Sequence, residues 1–152
     1  MKVDQIMSTN VVCCTADTNL QDVARMMADY DCGVVPVVED QKSMKIVGIL
    51  TDRDIVCRGL GNGRDIKGLK AADCMTSEVF CCKEGDSIED CLQTMEQHHI
   101  RRVPIVDSDN CCCGIVSITN IAATQPEDKT GHLVKEVTEP LAKGQHGNAG
   151  RS

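Results

Sequence analysis

Apolar residues recur with helical spacing in two stretches of the chain. Leu20, Val23, Ala24 and Met27 fall at i, i+3, i+4 and i+7, and Ile88, Cys91, Leu92 and Met95 repeat that spacing. Each stretch therefore predicts a helix buried along one stripe. A short β-rich segment precedes each helix, at Val11 to Thr15 and at Val79 to Lys83, with a polar turn between (Ala16-Asp17-Thr18 and Glu84-Gly85-Asp86). A strand follows each helix, Val34 to Val38 or Val103 to Val106. Then come a turn, a second strand (Lys45 to Leu50; Cys113 to Val116) and a second helix starting at Thr51 or Ser117. The predicted order is β-α-β-β-α, twice, in an α+β fold.

Two tandem copies of one unit account for this order. Met7-Ser8-Thr9-Asn10-Val11-Val12-Cys13-Cys14 aligns with Met75-Thr76-Ser77-Glu78-Val79-Phe80-Cys81-Cys82 at an offset of 75 − 7 = 68. The offset holds for Asp22 over Asp90, Met27 over Met95 and Val35-Pro36 over Val103-Pro104. Two residues are then lost in a loop, and the match resumes as Gly48-Ile49 over Gly114-Ile115 and Ile55 over Ile121. One unit alone buries little apolar area, so the copies are expected to pack together across their sheets. The expected boundaries are a first repeat over 1–60, a glycine-bearing linker over 61–73 and a second repeat over 74–124. An extension over 125–152 follows, with a disordered end expected from its Gly-rich run.

Composition narrows the function. The chain has 152 residues with 16 Lys+Arg against 23 Asp+Glu, a net charge of 16 − 23 = −7. Phe80 and Tyr30 are its only aromatics. An acidic chain without stacking residues is unsuited to nucleic acid, which is excluded as a partner. The longest apolar runs fall far short of the roughly 20 residues that span a bilayer, and the polar N-terminus is no signal peptide. No membrane partner is expected, and the location is read as cytoplasmic. The 11 cysteines, an odd number, are then expected as thiols.

The candidate chemistry sits where the second strand of each repeat turns into its helix. The first copy reads Gly48-Ile49-Leu50-Thr51-Asp52-Arg53-Asp54 and the second Gly114-Ile115-Val116-Ser117-Ile118-Thr119-Asn120. The shared pattern, Gly-x-x-(Thr/Ser)-x-x-(Asp/Asn), puts a hydroxyl and a carboxylate or amide on one helix face beside free N-terminal amides. A carboxylate there suits the vicinal diol of a ribose, and amides with nearby Arg side chains suit phosphate. The same fragment is a capping box, in which Thr51 and Asp54 satisfy backbone donors. Taken alone, capping is the stronger reading; the duplication shifts the balance.

The tandem units, their Met7-Ser8 and Met75-Thr76 openings, the Val35-Pro36 and Val103-Pro104 strands and the Gly48…Thr51…Asp54 ending together resemble a pair of CBS domains, also called a Bateman module. The resemblance covers about residues 1 to 123. It implies an intramolecular pseudo-dimer with two clefts, an adenosine nucleotide (AMP, ADP or ATP) as regulatory ligand in one or both, and a homodimer of modules. No cofactor is required. By resemblance, Thr51 and Asp54 match the family's ribose-binding pair, and Val12, Cys13, Gly33, Val34, Val35 and Pro36 would flank the adenine. In the second copy Ser117 matches, but Asn120 stands where the family has Asp, replacing a charged acceptor by a weaker neutral one. Arg101 and Arg102 precede the second copy's central strand, where similar proteins often hold a phosphate-contacting Arg. Arg53, between the two site residues in sequence, is as readily a phosphate contact as a solvated charge.

Other residues have plainer readings. Cys13-Cys14, Cys81-Cys82 and Cys111-Cys112-Cys113 are adjacent, so neighbours on a strand face opposite ways and read as core rather than as metal ligands. Cys111 to Cys113 begin in a predicted turn, which leaves a redox or metal role open there. His98 and His99 read as helix-end residues, Arg58 as surface and Met26-Met27 as core. No Gly-x-Ser-x-Gly, Walker-type or His-Glu-x-x-His motif is present, so no enzyme activity is expected. The expected function is a stand-alone regulatory module read by an effector protein. The alternatives are a thiol-based redox or metal sensor, or an interaction scaffold whose ligand sites have decayed.

Overall fold

The computed structural model describes residues 1–124; the expected extension over 125–152 lies outside the described residues. The first repeat holds β1 (Cys14–Thr15), α1 (Leu20–Asp29), β2 (Val34–Val38), β3 (Ile46–Thr51) and α2 (Asp52–Asp54). A π-helical turn, Ile55–Gly59, continues α2. After α3 (Ala71–Cys74) the second repeat holds β4 (Cys82–Lys83), α4 (Ile88–His98), β5 (Arg102–Val106), β6 (Cys112–Ser117) and α5 (Ile118–Ala122). The α+β order predicted from periodicity is the one observed. The β-rich segments before each long helix form strands of two residues only; in the first of them Val11 and Val12 line the cleft described below.

Each repeat forms a three-stranded sheet, β1-β2-β3 or β4-β5-β6, with a parallel pair followed by an antiparallel one. Even the register break recurs, between Val37 and Val38 and between Ile105 and Val106. The stripes of α1 and α4 cover the sheets. Leu20, Val23 and Met27 pack with Val35, Val37 and Leu50 in one core, and Ile88, Cys91 and Met95 with Val103, Ile105 and Val116 in the other.

The opening segments clasp the repeats. Ser8 exchanges backbone hydrogen bonds with Ile115 of β6 (2.9 and 3.0 Å), and Thr76 does so with Ile49 of β3 (2.9 Å each way). Val3 is thereby buried in the core of the second repeat. Leu69 and Ala71, within the span read as linker, are buried in the core of the first. Gly48 and Gly114 permit these close approaches. A Cβ on Gly48 would sit 2.8 Å from Met75 Sδ, and one on Gly114 would collide with Met7 Sδ. A second seam joins the sheet ends: Ile46 N–H donates to Asn110 O (3.2 Å) and Cys112 N–H to Met44 O (2.8 Å). Cys13, Val38 and Cys112 form a small buried cluster there, with Val11 and Met44 against it.

Candidate functional site

The corner at the end of β3 folds as its sequence dictates. Thr51 has extended backbone and caps α2: its Oγ1 accepts from Asp54 N–H (3.0 Å), and Asp54 Oδ2 accepts from Thr51 N–H (2.9 Å). This is the reciprocal capping box, which satisfies two donors that a helix start leaves open. It leaves Asp54 Oδ1 over. Asp54 is fully buried, and Oδ1 has no hydrogen-bond partner; Arg58 Nε lies 4.0 Å away. Burial dominates, pushing the carboxyl up from 3.8 to about 6 against the lowering effect of the Thr51 hydrogen bonds and Arg58.

The second corner repeats the geometry with a neutral side chain. Ser117 caps α5, its Oγ accepting from Asn120 N–H (3.2 Å), while Asn120 Oδ1 accepts from Ser117 N–H (2.8 Å) and Oγ (2.9 Å). Unlike Asp54, Asn120 is half-buried and opens onto a cleft of about 260 Å³. The cleft joins both repeats. Ile115, Ser117, Asn120 and Arg102 come from the second. Val11, Val12 and Val34, together with the end of α1 (Tyr30, Asp31, Cys32), come from the first. Ser8 and Asn10 close it, because the Ser8–Ile115 bonds bring the N-terminal segment over β6.

Five of the residues singled out in sequence thus share one cleft: Val12, Val34, Arg102, Ser117 and Asn120. The grouping differs from the expected one. Val12 and Val34 face the Ser117/Asn120 corner, not the Thr51/Asp54 corner of their own repeat, because the site forms between repeats. Cys13 is buried in the inter-repeat cluster and Val35 in the first core. Pro36 is buried opposite Ile49. Gly33 accepts from Asp52 N–H (3.0 Å), and Arg53 and Arg101 are exposed. Ser8, Asn10, Tyr30, Asp31 and Cys32 were not anticipated. The Met-Ser opening and the repeat offset were the available signal for Ser8, but the pairing of that segment with the other repeat was not readable.

The second unpartnered buried oxygen sharpens the parallel. Among the described residues, Asp54 Oδ1 and Thr76 Oγ1 are the buried side-chain N or O atoms without a hydrogen-bond partner. By the repeat offsets they are the counterparts of Asn120 (120 − 66 = 54) and Ser8 (8 + 68 = 76), two walls of the open cleft. Both orphaned atoms therefore stand, by repeat position, where the open cleft has two of its walls. At the repeat positions that match Val12 and Tyr30 of the open cleft stand Phe80 and His98, whose rings stack at 3.5 Å between centroids.

All eleven cysteines are free thiols. Burial pushes Cys14 and Cys81 up to about 12 and Cys113 up to about 11. Among the described residues, no group of three or more His, Cys, Asp or Glu is placed to hold a metal ion. No described helix is long and apolar enough to cross a membrane.

Comparison with known proteins points one way. The family model described as "CBS domain" matches residues 3–60 and 71–127. "Hypoxic response protein 1" of Mycobacterium tuberculosis is 34% identical over 137 residues, covering 90% of this chain and 94% of that protein. A crystal structure of Hypoxic Response Protein I with two coordinated zinc ions superposes with a TM-score of 0.75 at 32% identity, covering 83% of this chain and all of that one. A CBS domain pair crystallised with 5-methylthioadenosine and S-adenosyl-L-methionine shares the fold at a TM-score of 0.69 and 24% identity, covering 81% and 94%.

Proposed function

The chain belongs to the CBS domain family, and from that premise we propose that this regulatory module senses an adenosine nucleotide in the cleft between its repeats. The observation that carries the reading is the cleft itself. One repeat supplies the capped hydroxyl–amide corner and Arg102, and the other supplies an apolar slot from Val12 and Val34. Asn120 and Ser117 then bond the ribose, the valines flank the adenine, and Arg102 attracts phosphate. That a fold neighbour holds adenosine-containing ligands supports this ligand class. The Thr51/Asp54 corner is a second, buried site whose orphaned carboxylate oxygen is an acceptor for a diol. Ligand contact with both repeats alters their packing, and an effector protein reads the change. Val56 and Leu60, apolar, exposed and one helical turn apart, support contact with a second copy of the module. The free thiols suit a reducing, cytoplasmic setting.

Titration calorimetry with AMP, ADP and ATP, and GTP as comparator, tests the reading. An adenine nucleotide is expected to bind, and Asn120→Ala to weaken it roughly fivefold or more, the loss of one hydrogen bond worth about 1 kcal/mol. No heat with any adenine nucleotide would overturn it.

A further inference from the structure

We propose that Cys13 and Cys112 form a dithiol that closes to a disulfide under oxidation, covalently joining the two repeats behind the cleft. The two residues are 112 − 13 = 99 positions apart, on different repeats, yet they share one buried cluster with Val38. Three features hold them together. Cys112 N–H donates to Met44 O across the seam at 2.8 Å, Gln41 Nε2 donates to Cys13 O at 3.1 Å, and Lys45 bridges to Cys111. The two side chains neighbour each other in that cluster. The interaction between the two thiols holds Cys13 below the usual thiol range and, with burial, pushes Cys112 up. Cys13 is therefore the first of the pair to give up its proton.

The chemistry balances with a low-molecular-weight disulfide as oxidant. Cys13 loses its proton and its sulfur attacks one of the oxidant's sulfurs, displacing a small thiolate that takes up the proton and leaving a mixed disulfide on Cys13. Cys112 then loses its proton and attacks the Cys13 sulfur, releasing the second small thiol. The protein pair gives up two electrons and two protons, and the small disulfide becomes two thiols. Both residues are less than a tenth exposed, so the first step follows local opening of the seam. Val11 packs on this cluster and also lines the cleft, so the linkage fixes one cleft wall against the other. An effect on nucleotide affinity would rest on the function proposed above; the linkage itself does not.

The test is a non-reducing peptide map of the whole protein after incubation with glutathione disulfide, with exposed Cys57 showing that the oxidant has acted. The expected result is a Cys13–Cys112 crosslinked peptide, still formed in Cys82→Ser and lost in Cys112→Ser. Closing so long a loop should also raise Tm by on the order of 10 °C over the reduced protein. If Cys57 is modified while Cys13 and Cys112 remain thiols, or are linked only to other cysteines, the proposal fails. That outcome is read on the unmutated protein and needs no variant to fold.

Discussion

The corners at 51–54 and 117–120 are built alike and behave differently. Both end an edge strand, both cap a helix reciprocally, and both rest on a glycine pressed by a methionine from the chain's other opening segment. Yet one holds a buried carboxylate with an orphaned oxygen, the other a half-buried amide facing a cleft. Capping is thus what the motif does by default in either repeat. What distinguishes a site is the surplus left after capping, a charge and a lone pair in one corner and access in the other.

The largest expected effect concerns that charge. Asp54 has its carboxyl raised from 3.8 to about 6, so the folded state holds the proton more tightly than the unfolded chain. The resulting stability is complete below the unfolded value and is lost as pH rises through about 6. At neutral pH the ionised group costs on the order of 3 kcal/mol relative to its protonated form. Asp54→Asn, which copies the other corner, should stabilise the protein at pH 7 and leave it little changed at pH 4. Urea denaturation at both pH values measures this. Equal effects at pH 4 and pH 7 would show that the carboxylate is not strained by burial.

The clasp comes next. Gly114→Ala drives a Cβ into Met7, whose Cγ would be 2.8 Å away, whereas at Gly48 the matching Met75 Cγ is 3.4 Å away. Overpacking of this kind costs about 1–3 kcal/mol, and Gly114→Ala should sit higher in that range than Gly48→Ala. Thermal melts of the two variants rank them. A reversed order would mean that the N-terminal segment yields more easily than the 75–76 segment.

Those segments also mark where sequence stopped being informative. The offset of 68, the two helical stripes and the Val-Pro strands reveal the β-α-β-β-α units because each is a local periodicity. Both corners were legible too, since a capping box is a contact over three residues. The missed part is non-local. Ser8 and Thr76 pair with β6 and β3 respectively; Val3, assigned to the first repeat, fills the core of the second, and Leu69, read as linker, fills the core of the first. For the same reason Val12 and Val34, grouped in sequence with Thr51 and Asp54, lie in the cleft with Ser117 and Asn120. No periodicity records which of two similar strand edges a segment will join.

The smaller effect is the reciprocal exchange. Asn120→Asp gives the open corner the charged acceptor that the buried one already has. The side chain is half-buried and shares its cleft with Arg102, so its stability cost should stay below about 1 kcal/mol, as for a largely solvated charge. Its effect on binding should exceed that on folding. A charged acceptor bonds a ribose hydroxyl about twice as strongly as a neutral one, a gain of roughly 1 kcal/mol, or about fivefold in affinity. Calorimetry of an adenine nucleotide against Asn120→Asp reads that gain, and Asp54→Asn should leave the same affinity unmoved. If instead Asp54→Asn abolishes binding and Asn120→Asp changes nothing, the occupied site is the buried corner. The cleft at Asn120 would then be the vestigial half of the pair.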